Sequence, residues 1–388
     1  MSLEHPVAGD ERKDENPGTG TVAMVDLKSS PFSRITEEHT DYELAISIQN
    51  GLRGSLCNVP LSEPQPIESV DPRECTESIV HRFSSTKDES KEQLFIEYAP
   101  KSFAQLRRAF RITDDDYLSI LTGDDQGLLS FLSNSKSGQY FFFSNNSQFI
   151  IKTMSKSELE FLLQILPSYC QHMLNEANSL IARFYGIYKL NKFRINRSNK
   201  DISFLISNNV FYSPRRDLVI REQYDLKGST QGRLTPKQDV QRSGSILKDV
   251  NFIEDGVRLN ISNRGRAKVF HSQIERDCKW FARNLIMDYS LLVGIADLKG
   301  NGDGDGLSAD NGDDQSLNVF CREHGGMVSD DGTKVYFVGI IDILQKYNKK
   351  KKAAAFVKGI KYESNTLSTV PPDLYAKRFC EFFTDRVF

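Results

Sequence analysis

Two aspartates stand inside apolar segments, Asp288 in IMDYSLLVGI (Ile286 to Ile295) and Asp342 in YFVGIIDILQ (Tyr336 to Gln345). An acid set between Ile341 and Ile343 needs a partner, because a carboxylate buried without one is costly. Mg²⁺ would be such a partner. Transfer of a phosphoryl group to a hydroxyl uses two acids, one beside the attacking oxygen and one holding Mg²⁺ against the nucleotide phosphates. The competing reading of a lone aspartate is a helix cap or a turn, and it fits most other acids of the chain.

Composition bounds what can surround these residues. With 388 residues, 39% of them hydrophobic, the chain can bury the core of one large two-lobed domain or of two ordinary ones. Fifty Lys and Arg against 52 Asp and Glu leave a formal net charge of -2, so bulk charge points to no nucleic-acid partner. Electrostatic binding must come from local clusters. The six cysteines are scattered without a CxxC pair, which reads as reduced, cytosolic and mostly structural thiols. The N-terminus lacks the apolar core of a signal peptide, and no stretch has the length and apolarity of a membrane span. The expectation is a cytoplasmic protein that meets a membrane only from its cytosolic face.

Residues 1–40, rich in Asp, Glu, Gly, Ser and Pro, read as a disordered arm. Tyr42 to Leu56 forms a helix pattern, and the polar stretch that follows, to about Glu89, is expected to loop out. Phe103, Leu106 and Phe110 recur near helical spacing, and Asp114 to Asp116 can start the next helix. Gln139 to Ser144 and Ser147 to Thr153 flank Asn145-Asn146 as a hairpin would. Ser155 and Glu158 have the spacing of a capping box. Further strands are expected from Ile187 to Phe211, and a helix from Phe270 to Leu285 delivers the chain to Asp288. Between Lys299 and Lys334 the composition turns to Gly, Asp and Asn, the mark of an acidic insert. Asn301, Asp303, Asp305 and Gly306 imitate the start of a calcium loop, but Gly312 stands where its bidentate Glu belongs.

With YDLKGST (Tyr224 to Thr230) upstream, the segments around Asp288 and Asp342 resemble the phosphatidylinositol phosphate kinases. IQNGLR, YAPKSF and DDYL resemble the same family, so the likeness runs from about Tyr42 to Phe388. It implies an α+β, two-lobed lipid-kinase fold, distantly similar to protein kinases, with antiparallel sheets and packed helices. The N-terminal lobe would span 41–207 and the C-terminal lobe 208–388, with the insert at 299–334 and a specificity loop at about 346–370.

The resemblance also assigns roles, with ATP and Mg²⁺ as cofactors. Asp288 would orient or deprotonate an inositol hydroxyl, and Asp342 would hold Mg²⁺. Val293 stands where a protein kinase carries Asn, and no second metal ligand is assigned. Lys152, closing the strand FIIK, would pair with the ATP phosphates and be held by Glu160; read alone, it is a solvated strand end. SNSKSGQYF, with Gly138, resembles the family's phosphate-covering loop, though a plain hairpin turn reads the same. Ser207, Asn209, Val210 and Phe211 resemble the hinge against which the purine lies, with Leu292 as its floor; core packing is the alternative for the apolar ones.

Lys227 and Arg233 match the family's headgroup positions, where cations take the phosphate already on the lipid. Beyond Asp342 come Lys346, Lys349, Lys350, Lys351, Lys352, Lys358 and Lys361, a local basic patch. Each such charge can contribute about 1 kcal/mol at an anionic membrane. A solvated loop is the other reading. The implied partner is a phosphoinositide lipid at such a surface; a homodimer is compatible with the likeness. The family's 4-phosphate 5-kinases carry Glu in the phrase KKLEH and its 5-phosphate 4-kinases Ala in KKAAH. This chain reads KKAAA, with Ala354 at that position and Ala355 at the place of the His. LLVGI after MDYS also leans toward the 4-kinases, whereas EFLLQILPSY and YAPKSF look more like the 5-kinases. Either reaction gives phosphatidylinositol 4,5-bisphosphate; the 5-kinase reading is preferred, with the 4-kinase and an inactive phosphoinositide-binding scaffold as alternatives.

Overall fold

The computed structural model describes residues 32–56, 71–84, 92–123, 128–131, 139–195, 198–215, 217–236, 246–261, 265–298, 325–348 and 370–386. Gly138, Lys349, Lys350, Lys351, Lys352, Ala354, most of the arm and the insert up to 324 lie outside them. Strands β1 (Phe32–Arg34), β2 (Ser78–Ser84), β3 (Glu92–Tyr98), β4 (Leu129–Phe131), β5 (Phe141–Phe143), β6 (Phe149–Met154), β7 (Phe184–Ile195) and β8 (Ser198–Asn208) make one antiparallel sheet. Its order is β1-β4-β5-β6-β8-β7-β3-β2. Helices α1 (Tyr42–Leu56), α2 (Pro100–Ala109), α3 (Asp114–Thr122) and α4 (Lys156–Asn175) pack on it.

A second, five-stranded sheet follows. β9 (Ile220–Leu226), β10 (Leu247–Lys248), β11 (Ser290–Asp297), β12 (Met327–Val328) and β13 (Lys334–Ile341) run in the order β10-β9-β11-β13-β12, antiparallel except for the β9–β10 pair. Helices α5 (Asp249–Glu254), α6 (Arg266–Arg283) and α7 (Pro372–Arg386) complete this part. The protein is thus α+β, mixed helix and antiparallel sheet. Among the described residues no helix is long and apolar enough to cross a membrane.

Helical spacing explains which faces are buried. In α1, Leu44, Ile48 and Leu52 recur every four residues and meet Tyr117 and Leu121 of α3 and Phe95, Phe142 and Phe204 of the first sheet. In α4, Leu162, Ile165, Leu166 and Tyr169 line the opposite stripe of core, which continues through Leu291, Val293 and Ile340 to Phe379 and Phe383 of α7. The helix α4 starts where the sequence places it. Ser155 Oγ accepts from the Glu158 amide and Glu158 accepts from the Ser155 amide, a full capping box.

Two expectations are corrected. The polar stretch before Glu89 does not simply loop out; Ser78–Ser84 pairs with β3 as an edge strand. Its period was hidden because most of its residues are exposed on both faces, so no apolar alternation was needed. In the β5–β6 hairpin the left-handed turn residue is Ser147, with φ 60°, while Asn146 Oδ1 accepts from Ser144 Oγ and the Gln148 amide.

Candidate active site

The two aspartates share one break in one ladder. β11 and β13 pair down to Ser290↔Ile341, and the same chains meet again at Ile286↔Lys346. Bonds from the Met287 amide to Gln345 O (3.0 Å) and from the Tyr347 amide to Leu285 O (2.8 Å) close the gap from below. Asp288 lies in the break on one strand and Asp342 on the other. Both have left-handed backbone, φ 64° and φ 61°, a conformation uncommon outside glycine and best tolerated by Asp and Asn. Such backbone, held in place by a ladder on either side, concentrates at functional sites.

Each acid holds a lysine from elsewhere. Lys152 does not close its strand, since β6 runs on to Met154; from inside the ladder its Nζ donates to Asp342 Oδ1 at 3.1 Å and lies 5.3 Å from the Phe141 ring centroid. Lys227 Nζ, just after β9, donates to Asp288 Oδ1 at 2.8 Å and to Asp288 O at 2.9 Å. The apolar frame of Asp342 does not bury it: its side chain is 42% exposed, because the left-handed turn carries it off the face that Ile343 occupies. Its partner is the Lys152 ammonium.

Glu160 departs from its expected place as the holder of Lys152. The capping box fixes the phase of α4 so that Leu159 and Phe161 enter the core and Glu160 turns outward, 65% exposed, toward Lys156 at 3.8 Å. Glu158, which sequence reasoning treated only as a cap, also accepts from Gln139 Nε2 at 3.0 Å. Lys346, the first of the basic run, is drawn onto the same helix. Its Nζ donates to Gln164 Oε1 at 2.7 Å and stands 5.3 Å over Phe161.

The connector after β8 rests on the second sheet. A Cβ on Gly339 would come within 2.7 Å of Val210, and one on Gly294 within 2.9 Å of the Phe211 ring. The two glycines therefore let the connector lie flat on β11 and β13, and half-buried Leu292 faces Gly339 across the ladder. The repeated phrase Val-Gly-Ile, at 293–295 and 338–340, was the overlooked signal for this approach. Ser207, the last residue but one of β8, lies opposite Ile150 and Phe184. Asn209 folds the connector: its amide bonds Gln148 O and its side-chain amide Ser147 O, both at 2.9 Å, while its Oδ1 accepts from the Phe211 amide.

The Lys227 turn is built around a buried acid that the sequence did not announce. Asp249 is fully buried; its Oδ1 accepts from the amides of Lys227 (2.8 Å) and Ser229 (3.2 Å), and its Oδ2 accepts from Arg233 Nε at 2.7 Å. Gly228, with φ 65°, makes the turn and brings it against α7, where a Cβ would lie 3.3 Å from Phe379 Cα. Arg233, only 12% exposed, also grips Asp225 through Nη2 at 2.9 Å. Its guanidinium is thus committed to holding the turn. Substitution Arg233→Leu should lower stability by about 3 kcal/mol, since it strips a buried carboxylate of its cation. Denaturant unfolding measures this; a loss below 1 kcal/mol would contradict the anchoring role.

The family model described as Phosphatidylinositol-4-phosphate 5-Kinase matches residues 122–386 of this sequence, a span that holds both acids and both lysines. The chain belongs to this family. Among curated relatives, a phosphatidylinositol 4-phosphate 5-kinase of Schizosaccharomyces pombe is 32% identical over 412 residues, covering 90% of this chain and 54% of the relative. Phosphatidylinositol 4-phosphate 5-kinase 4 of Arabidopsis thaliana is 31% identical over 405 residues, with 90% and 50% covered. The human phosphatidylinositol 4-phosphate 5-kinase type-1 beta is 30% identical over 330 residues, with 76% and 58% covered. This member of the family spans about half the length of these relatives.

Proposed function

We propose that this chain is an ATP-dependent phosphatidylinositol monophosphate kinase that takes the 4-phosphate and phosphorylates the 5-hydroxyl. The observation that carries the reading is the break in the β11–β13 ladder, where two left-handed aspartates each hold a lysine that could serve phosphate. The relatives' names support the choice of isomer. In this reading the first sheet and its helices form one lobe, with Lys152 for ATP, and the second sheet forms the other.

Asp288 accepts the proton of the attacking hydroxyl, for which a carboxylate 35% exposed is accessible. Lys227 turns from Asp288 to the phosphate already on the headgroup. Asp342 is the candidate ligand for Mg²⁺. No group of three or more acids, cysteines or histidines suited to a metal occurs among the described residues, and Mg²⁺ does not require one, since it takes one or two carboxylates and completes its shell with phosphate oxygens and water. When bound, the ion would neutralise charge on the transferred phosphoryl group. The lysine run from Lys349 to Lys352, with Ala354, is proposed to meet an anionic membrane.

The test supplies vesicles containing either phosphatidylinositol 4-phosphate or the 5-phosphate, with labelled ATP, and identifies the bisphosphate formed. Label at the 5-position of the 4-phosphate substrate is expected. Product from the 5-phosphate alone would reverse the isomer, and no product from either would leave the scaffold reading.

A further inference from the structure

The reading above gives Lys227 two tasks. In this structure it neutralises Asp288, yet during turnover it must attend to the substrate's phosphate, which leaves the acid without its cation at the moment it is needed. A second positive charge nearby would resolve the conflict. The helix α7 carries one.

Tyr375 of α7 is fully buried, and its hydroxyl donates to the carbonyl of Tyr289, the residue after Asp288. One turn further along the helix, the Arg378 guanidinium lies 4.9 Å over the Tyr375 ring. Nε and Nη2 of that guanidinium are shielded from solvent. The backbone of Arg378 borders the headgroup turn, its carbonyl 3.4 Å from where a Gly228 Cβ would be. Arg378 therefore stands where α7, the Asp249-anchored turn and the Asp288 loop converge.

We propose that Arg378 is a positioning residue for phosphoryl transfer, its buried guanidinium holding the Asp288 carboxylate charged and in place when Lys227 moves to the substrate. Burial lowers the pKa of Arg378, and the charges of Asp249 and Asp288 oppose that shift, so both carboxylates are within electrostatic reach of the guanidinium that lies on Tyr375. The face of Tyr375 adds cation–π attraction on one side. The proposal rests on Asp288 being the acid that serves the hydroxyl.

The experiment uses the full chain and compares Arg378→Met and Arg378→Lys with the unaltered protein, on vesicles of phosphatidylinositol 4-phosphate and Mg-ATP. A positioning charge predicts a drop in kcat of roughly tenfold or more for Arg378→Met, with KM for ATP within about twofold, because the first sheet's Lys152 is untouched. Arg378→Lys should recover much of the loss. Unchanged kcat in Arg378→Met, or equal losses in the two variants, would overturn the proposal. Should Arg378→Met not fold, Arg378→Lys decides alone: a fall in kcat of about twofold to fivefold at unchanged KM for ATP supports the role, and an unchanged kcat or a raised KM for ATP ends it. Asp288→Asn, assayed in parallel, separates the two claims. If it retains turnover, the reading of Asp288 itself fails; if it is inactive while Arg378→Met turns over normally, only the role of Arg378 fails.

Discussion

Asp342→Asn should reduce phosphoryl transfer by roughly 10³-fold or more while the protein unfolds at nearly its ordinary temperature. The substitution isolates the charge. Asparagine, like aspartate, accepts a left-handed backbone, so φ 61° at position 342 costs it little, whereas Ala would add strain there. The amide is isosteric with the carboxylate, but it cannot neutralise Mg²⁺ or pair with the Lys152 ammonium. The ion pair with Lys152 is itself a poor stabiliser, since the partners are 25% and 42% exposed and such pairs contribute about 1 kcal/mol or less. Turnover and thermal unfolding measured on one preparation check the claim. Near-normal kcat would remove Asp342 from the metal site, and a large fall in the unfolding temperature would make it a structural residue.

Both acids reveal what local sequence can and cannot carry. Their apolar flanks were visible because β11 and β13 are buried strands, which read as continuous apolar runs ending at the break. The helix α1 and the capping box of α4 were legible for the same reason: each depends on neighbours within four or so residues. Partners were not legible. Lys152 and Asp342 are 190 positions apart, so the family likeness that paired Lys152 with Glu160 had no bearing on which carboxylate this fold delivers. Asp249 and Asp277 carry no periodic signature, because a buried acid is defined by donors that converge from other elements. The exposure of Asp342 was missed through a single dihedral, the positive φ that redirects one side chain in an apolar run.

The two lysine–carboxylate pairs also help the break in the ladder to keep its shape. Four side chains of two signs converge there, and pairing each acid with a lysine balances the charges of the break. The rim of the site is held more firmly than its centre. Asp249 fastens the Lys227 turn, and a corresponding anchor lies behind Asp342.

That anchor is Asp277 of α6, and Asp277→Ala should cost about 4 kcal/mol of stability, the loss expected when one member of a buried charged network is removed. The carboxylate is fully buried, and His172 Nε2 lies 2.7 Å from its Oδ1. Ser179 Oγ and Gln273 Nε2 donate to the same oxygen at 3.0 and 2.9 Å, and the Leu180 amide donates to Oδ2 at 2.8 Å. His172 stacks on Trp280 with ring centroids 5.4 Å apart, so the network is walled on that side by apolar surface. Its reach extends to the site. Leu180 O accepts from the Ile340 amide at 2.6 Å, and the Ala182 amide donates to Ile340 O at 2.9 Å, two residues before Asp342. Loosening Asp277 frees the 179–182 segment and with it the outer support of β13. Asp277→Asn, milder because it keeps one acceptor, should lower the unfolding temperature by about 5 °C and turnover by several-fold. An Asp277→Asn protein that unfolds at the ordinary temperature would show that the segment is held by the sheet alone, and one that is destabilised yet turns over normally at low temperature would cut the link from α6 to Asp342.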